Sequence, residues 1–90
     1  MNIFIVGLGL IGGSLAEGLH LKGHHLYGYD QDDAVMKEAK EKKLIDQDSN
    51  IASLSEAELV ILALYPKDNV SFMKQYGHQL KPGQILTDIS

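Results

Sequence analysis

The sequence predicts an α/β fold on a doubly wound parallel sheet of about four strands, and three observations carry that prediction. An apolar run, Ile3 to Val6, breaks directly into Gly7, Gly9 and Gly12 at Gly-x-Gly-x-x-Gly spacing. Strand-like and helix-like patterns then alternate along the rest of the chain. The run Leu59 to Leu64, LVILAL, is apolar at every position, as a parallel strand covered on both faces has to be.

The glycines come first because each has its own physical task. Gly7 permits a tight strand-to-helix turn, Gly9 removes the side chain that would block a phosphate, and Gly12 lets the helix lie close against the strand. The helix turns its unpaired N–H groups and positive dipole end toward an anion. Residues 7–12 are therefore a candidate pyrophosphate cradle. Their helix is expected over Leu10 to Lys22, with Ile11, Leu15 and Leu19 on one face and Gly23 closing it.

A second strand, Leu26 to Tyr29, ends at Asp30, 18 residues after Gly12. That is close to the roughly 20 at which a carboxylate meets the adenosine ribose of a dinucleotide. Gln31, Asp32 and Asp33 follow without a cation, which favours NAD over its 2′-phosphorylated form. Asp32 suits the cap of a second helix, Asp33 to about Lys43, with Val35 and Ala39 inward and a solvated KEAKEKK face. Ser53 and Glu56 stand at capping-box spacing, enough for a short helical turn before LVILAL.

Pro66 suits the first turn of a third helix, with Val70, Met73, Tyr76 and Leu80 expected inward and Pro82 and Gly83 as its stop. Ile85 to Ile89 reads as the fourth strand. In a Rossmann-type plan the strand order is expected to be 3-2-1-4, with the ligand crevice at the C-terminal ends of strands one and four.

Composition bounds the rest. Ninety residues with 44% hydrophobic content suit one small domain, and a net charge of −4 without a basic stripe offers nucleic acid no electrostatic footing. No apolar stretch reaches the roughly 18 residues of a membrane span, and no basic-then-apolar leader opens the chain. A soluble, cytoplasmic protein is expected. Cysteine is absent, so disulfides and thiolate metal sites are excluded. His20, His24, His25 and His78 do not fall at metal-ligand spacing, and no metal is expected.

GLGLIGGSLA at residues 7–16, GYD at 28–30, LVILALYP at 59–66 and ILTDIS at 85–90 together resemble the prephenate and arogenate dehydrogenases of tyrosine biosynthesis. The likeness spans the whole chain and covers the N-terminal, NAD-binding part of that family, whose longer members add sheet strands and a helical dimerisation domain. It implies that Gly7, Gly9, Leu10, Ile11 and Gly12 line the pyrophosphate, that Asp30 meets the adenosine ribose, and that Leu64, Tyr65 and Pro66 border the cofactor. Tyr65 departs from the small or aliphatic residue usual there, and either stacks on the cofactor or only packs. Asp88 resembles the start of an Asp-x-x-Ser-x-Lys segment, whose serine falls one position past Ser90. The family's catalytic histidine matches none of the four here.

The function this implies is NAD-dependent oxidative decarboxylation of prephenate to 4-hydroxyphenylpyruvate by a longer enzyme, homodimeric at full length, with these residues alone inactive. Alternatives are an arogenate or other dehydrogenase on the same nucleotide fold, and a non-catalytic nucleotide-sensing module. An unpaired fourth strand predicts self-association of the isolated chain.

Overall fold

Backbone alternation divides the opening apolar run between two faces. In the computed structural model, which describes residues 1–89 and only the backbone of Leu10 and Ile11, β1 (Asn2–Val6) sends Ile3 and Ile5 to one side and Phe4 and Val6 to the other. All four are at most 1% exposed, which requires a layer on each face. On the first face lie α1 (Leu10–Leu21) and α2 (Asp33–Glu41), through Ala16 and Ala39. A 3₁₀ helix at Ile51–Glu56 and α3 (Pro66–Tyr76) cover the second through Leu54 and Phe72.

β2 (His25–Tyr29), β3 (Leu59–Leu62) and β4 (Ile85–Asp88) complete a wholly parallel sheet in the order β2-β1-β3-β4. The α/β, Rossmann-type class is the one the sequence predicts. The seat of the third strand differs from the expected 3-2-1-4: LVIL lies across β1 from β2, not outside it.

The reason is what occupies the outer edge of β2. There the Asp46 N–H donates to the Leu26 carbonyl at 2.8 Å. Ser49, 1% exposed, uses its hydroxyl to accept the Gly28 N–H at 2.7 Å and to donate to the Gly28 carbonyl at 2.8 Å. A polar loop thus fills the third seat of the doubly wound plan without forming a strand, and each later strand moves up one ordinal. The chain reverses its progress across the sheet between β1 and β3, so the crevice opens at their C-terminal ends.

Smaller differences have local causes. α2 stops at Glu41, two residues short of Lys43, where Lys43 turns to φ 57° and the Leu44 N–H bonds back to the Ala39 carbonyl. The capping box joins Asn50 to Ser53, not Ser53 to Glu56, because the Asn50 side chain takes the Ala52 N–H at 2.8 Å. On α3 the inward stripe is Asn69, Phe72, Met73 and Tyr76, and Val70, expected inward, is 55% exposed. The ladder runs past the strand ends, with Ala63 N–H donating to Val6 and Ile89 N–H to Leu62. Among the described residues no helix is long and apolar enough to cross a membrane.

Candidate functional site

Where β1 ends, Gly7 takes φ 95° and its N–H donates to the Tyr29 carbonyl at 2.8 Å, tying the turn to β2. A left-handed backbone of this kind favours glycine. The helix returns so closely that a Cβ on Gly12 would lie 1.8 Å from the Gly7 carbonyl oxygen. Gly9 is the opposite case. A Cβ there would meet nothing within 4 Å, although Gly9 is the N-cap of α1. Gly9 carries no side chain to cap this helix and the first turn holds no acidic residue, so this helix end is suited to an anion. Leu10 and Ile11 begin α1, and their side chains lie outside the described ones.

Asp30 leaves β2 beside this turn. Its Oδ2 accepts the Leu8 N–H at 2.9 Å and its Oδ1 accepts the Asp32 N–H at 2.9 Å. A carboxylate offers about four lone-pair sites, so acceptor capacity remains for hydroxyl donors. Asp32 in turn caps α2 by accepting the Ala34 N–H at 2.9 Å. The carboxylate therefore braces the glycine turn while facing the same space.

A cleft of about 580 Å³ gathers Gly7, Gly9, Gly12, Asp30, Leu64, Tyr65 and Pro66. Tyr65, the N-cap of α3, is 81% exposed, so its ring is not a core residue. Beyond Asp30 the cleft continues into a pocket of about 140 Å³, bordered by Tyr29, Gln31, Phe72, Gln75 and Tyr76. The three aromatic rings form a cluster, with the Phe72 and Tyr76 centroids 5.0 Å apart. Burial first, then the Tyr76 hydroxyl and the Asp30 and Asp33 carboxylates, push the Tyr29 phenol above its ordinary range and keep it protonated.

Several lining residues were not legible in the sequence. Asp68, in the first turn of α3, borders both cavities, and Ile89 borders the larger one. The α3 residues lacked a motif. Asp88 accepts from Asn69 Nδ2 at 3.2 Å at the end of β4, and Ser90 lies outside the described residues. No histidine borders the cleft, and among the described residues no three metal-binding side chains come together.

Residues 2–90 match the family described as NADP oxidoreductase, coenzyme F420-dependent. The chain belongs to that family. It is accordingly a Rossmann NAD(P)-binding oxidoreductase domain. Among solved structures it is similar to Synechocystis arogenate dehydrogenase, at 31% identity and TM-score 0.90, covering 100% of this chain and 33% of that one. It is also similar to the prephenate dehydrogenase from A. aeolicus in complex with hydroxyphenyl propionate and NAD+, at 27% identity and TM-score 0.83, covering 98% and 32%. The 3-hydroxyisobutyrate dehydrogenase of Mycobacterium tuberculosis, at 22% identity and TM-score 0.81 over 97% and 30%, shares the fold. The chain spans about a third of the length of each of these proteins.

Proposed function

We propose that this chain is the NAD-binding portion of a prephenate dehydrogenase, with the cleft at the ends of β1 and β3 holding the dinucleotide. The observation that carries the cofactor reading is the contrast between Gly12, sealed against the Gly7 carbonyl, and Gly9, open before an uncapped helix end. A diphosphate fits that opening through backbone N–H groups alone. Asp30 would hold the adenosine ribose, the pocket walled by Tyr29, Phe72 and Tyr76 would take the base, and Tyr65, Pro66 and Ile89 would border the nicotinamide half. The described lining of the cleft contains the carboxylates of Asp30 and Asp68 and no Lys or Arg, which supports NAD over NADP.

When bound, the nicotinamide supplies the hydride acceptor, and the protein's part is to hold it and keep water from one face. Gly7, Gly9 and Gly12 shape the diphosphate seat, Leu64 and Pro66 wall the cleft, and Asp30 orients the sugar. Oxidative decarboxylation of prephenate to 4-hydroxyphenylpyruvate is the reading supported by the likeness to the arogenate and prephenate dehydrogenases; a homodimeric whole enzyme acting in the cytoplasm is part of the same proposal. Fold alone does not choose the substrate.

Calorimetry on the folded chain with NAD and NADP tests the cofactor, and no uptake of NAD overturns the reading. Equal or tighter NADP binding overturns the role of Asp30 and spares the cradle. The natural gene product, offered prephenate, arogenate and a hydroxy acid in turn, tests the substrate. Turnover of the hydroxy acid alone overturns the prephenate assignment, as does prephenate turnover by these ninety residues alone for the claim that they are inactive.

A further inference from the structure

Asn69 places an amide where α3 turns toward the sheet, and it is 2% exposed. Burying an amide is costly unless its donors and acceptor are satisfied. Oδ1 accepts the Leu64 N–H at 3.1 Å, while Nδ2 donates to the Leu64 carbonyl at 3.2 Å and to Asp88 Oδ1 at 3.2 Å. The bond from the Ala63 N–H to Val6, at 2.8 Å, is where β3 leaves its ladder with β1. At Leu64 a side-chain amide therefore takes both backbone groups, the donor and the acceptor, that a neighbouring strand would otherwise hold.

Leu64 is placed where small movements matter. Its Cδ2 lies 2.7 Å from the point a Cβ on Gly7 would occupy, so its position fixes the wall pressed against the glycine turn. Asp88, the other partner, directly precedes Ile89, which borders the same cleft. One amide thus joins the β3–α3 loop to the end of β4.

The geometry points to Asn69 as the positioning residue of the cofactor cleft, holding Leu64, Tyr65 and Pro66 on one side and Ile89 on another at a single spacing. This rests on the reading of the cleft as a dinucleotide site. The amide chemistry is required on both sides. Leucine satisfies neither Leu64 group. Aspartate keeps an acceptor for the N–H but sets a second acceptor against the Leu64 carbonyl and a negative charge against Asp88.

The test uses the whole chain with Asn69→Leu, Asn69→Asp, Asp88→Asn and the double variant Asn69→Asp/Asp88→Asn, read by amide hydrogen exchange and by NAD calorimetry. In Asn69→Leu the Leu64 amide exchanges at least about tenfold faster, as a freed amide does, while Val60 and Leu62 stay within about twofold. NAD affinity falls about tenfold in both Asn69 variants, the size of about one net hydrogen bond. The double variant again sets an amide donor against a carboxylate while the Leu64 carbonyl still faces an acceptor, so it binds NAD measurably more tightly than Asn69→Asp but recovers only part of the loss, a coupling that a merely structural role does not produce. Unchanged Leu64 exchange, or wild-type NAD affinity, in Asn69→Leu overturns the assignment. If that variant does not fold, the aspartate pair decides: loss in Asn69→Asp without recovery in the double variant overturns it. Should the wild-type chain bind no NAD, the dinucleotide reading falls, and Leu64 exchange still decides whether the clamp exists.

Discussion

Replacing Gly12 by alanine and Gly9 by alanine separates folding from binding within one motif. At Gly12 the new methyl group starts 1.8 Å from the Gly7 carbonyl oxygen and 2.9 Å from its carbon, and real contacts of this kind begin at 3.0 Å. Both atoms are backbone, so no rotamer relieves the clash; α1 has to withdraw from β1. Overpacking of this sort costs about 1–3 kcal/mol or more, and the upper end applies because Ala16, the buried anchor of α1, moves with it. In a domain of this size about 3 kcal/mol lowers Tm by roughly 12–24 °C. At Gly9 the methyl group meets nothing within 4 Å, so the loss is the few tenths to about 1 kcal/mol of exchanging an N-cap glycine for alanine. The two variants are compared by circular-dichroism melting and NAD calorimetry. Gly12→Ala is expected to melt far below wild type; Gly9→Ala is expected to melt near it yet bind NAD at least about tenfold more weakly, since its methyl stands in the proposed diphosphate seat. A Gly9→Ala chain that binds NAD like wild type refutes the cradle, and a Gly12→Ala chain of unchanged Tm refutes the packing.

Asp30→Asn removes the charge and leaves an acceptor, so NAD binding weakens and the NADP-to-NAD affinity ratio rises; an unchanged ratio in competition titrations counts against the ribose role. Ser49→Ala strips both partners from the Gly28 backbone at a buried edge, at about 1–3 kcal/mol, seen as a fall in Tm without loss of NAD affinity in the folded protein. Tyr65→Ala is expected to weaken NAD binding while sparing stability, because the ring is largely exposed; unaltered affinity ends its proposed contact with the cofactor. The raised Tyr29 phenol predicts alkaline weakening. As pH climbs through about 10 the unfolded chain releases its proton before the folded one, so stability that is whole at lower pH declines. Tyr29→Phe should flatten that decline in melts from pH 8 to 11, and an identical slope would dismiss the cause.

Legibility followed how local the physics is. The glycine turn, the Asp32 cap and Pro66 at the start of α3 each depend on neighbours a few residues away, and each was readable as a pattern. Val70 was misplaced because apolar periodicity alone does not reveal that a satisfied amide, Asn69, occupies the inward stripe. The strand order failed for a related reason. Residues 46–49 carry no strand pattern, yet fill an edge seat through one backbone bond and one hydroxyl.

The amino-acid order by itself determined the doubly wound class, the glycine turn and the carboxylate after β2, because steric freedom, apolar pattern and turn chemistry act over short stretches of chain. Only the tertiary structure decided that β3 crosses to the far side of β1, that Gly12 seals while Gly9 stays open, and that Asn69 holds the facing wall. Those outcomes depend on which groups distant in sequence find each other's donors, acceptors and empty volume, and that pairing exists only once the sheet is assembled.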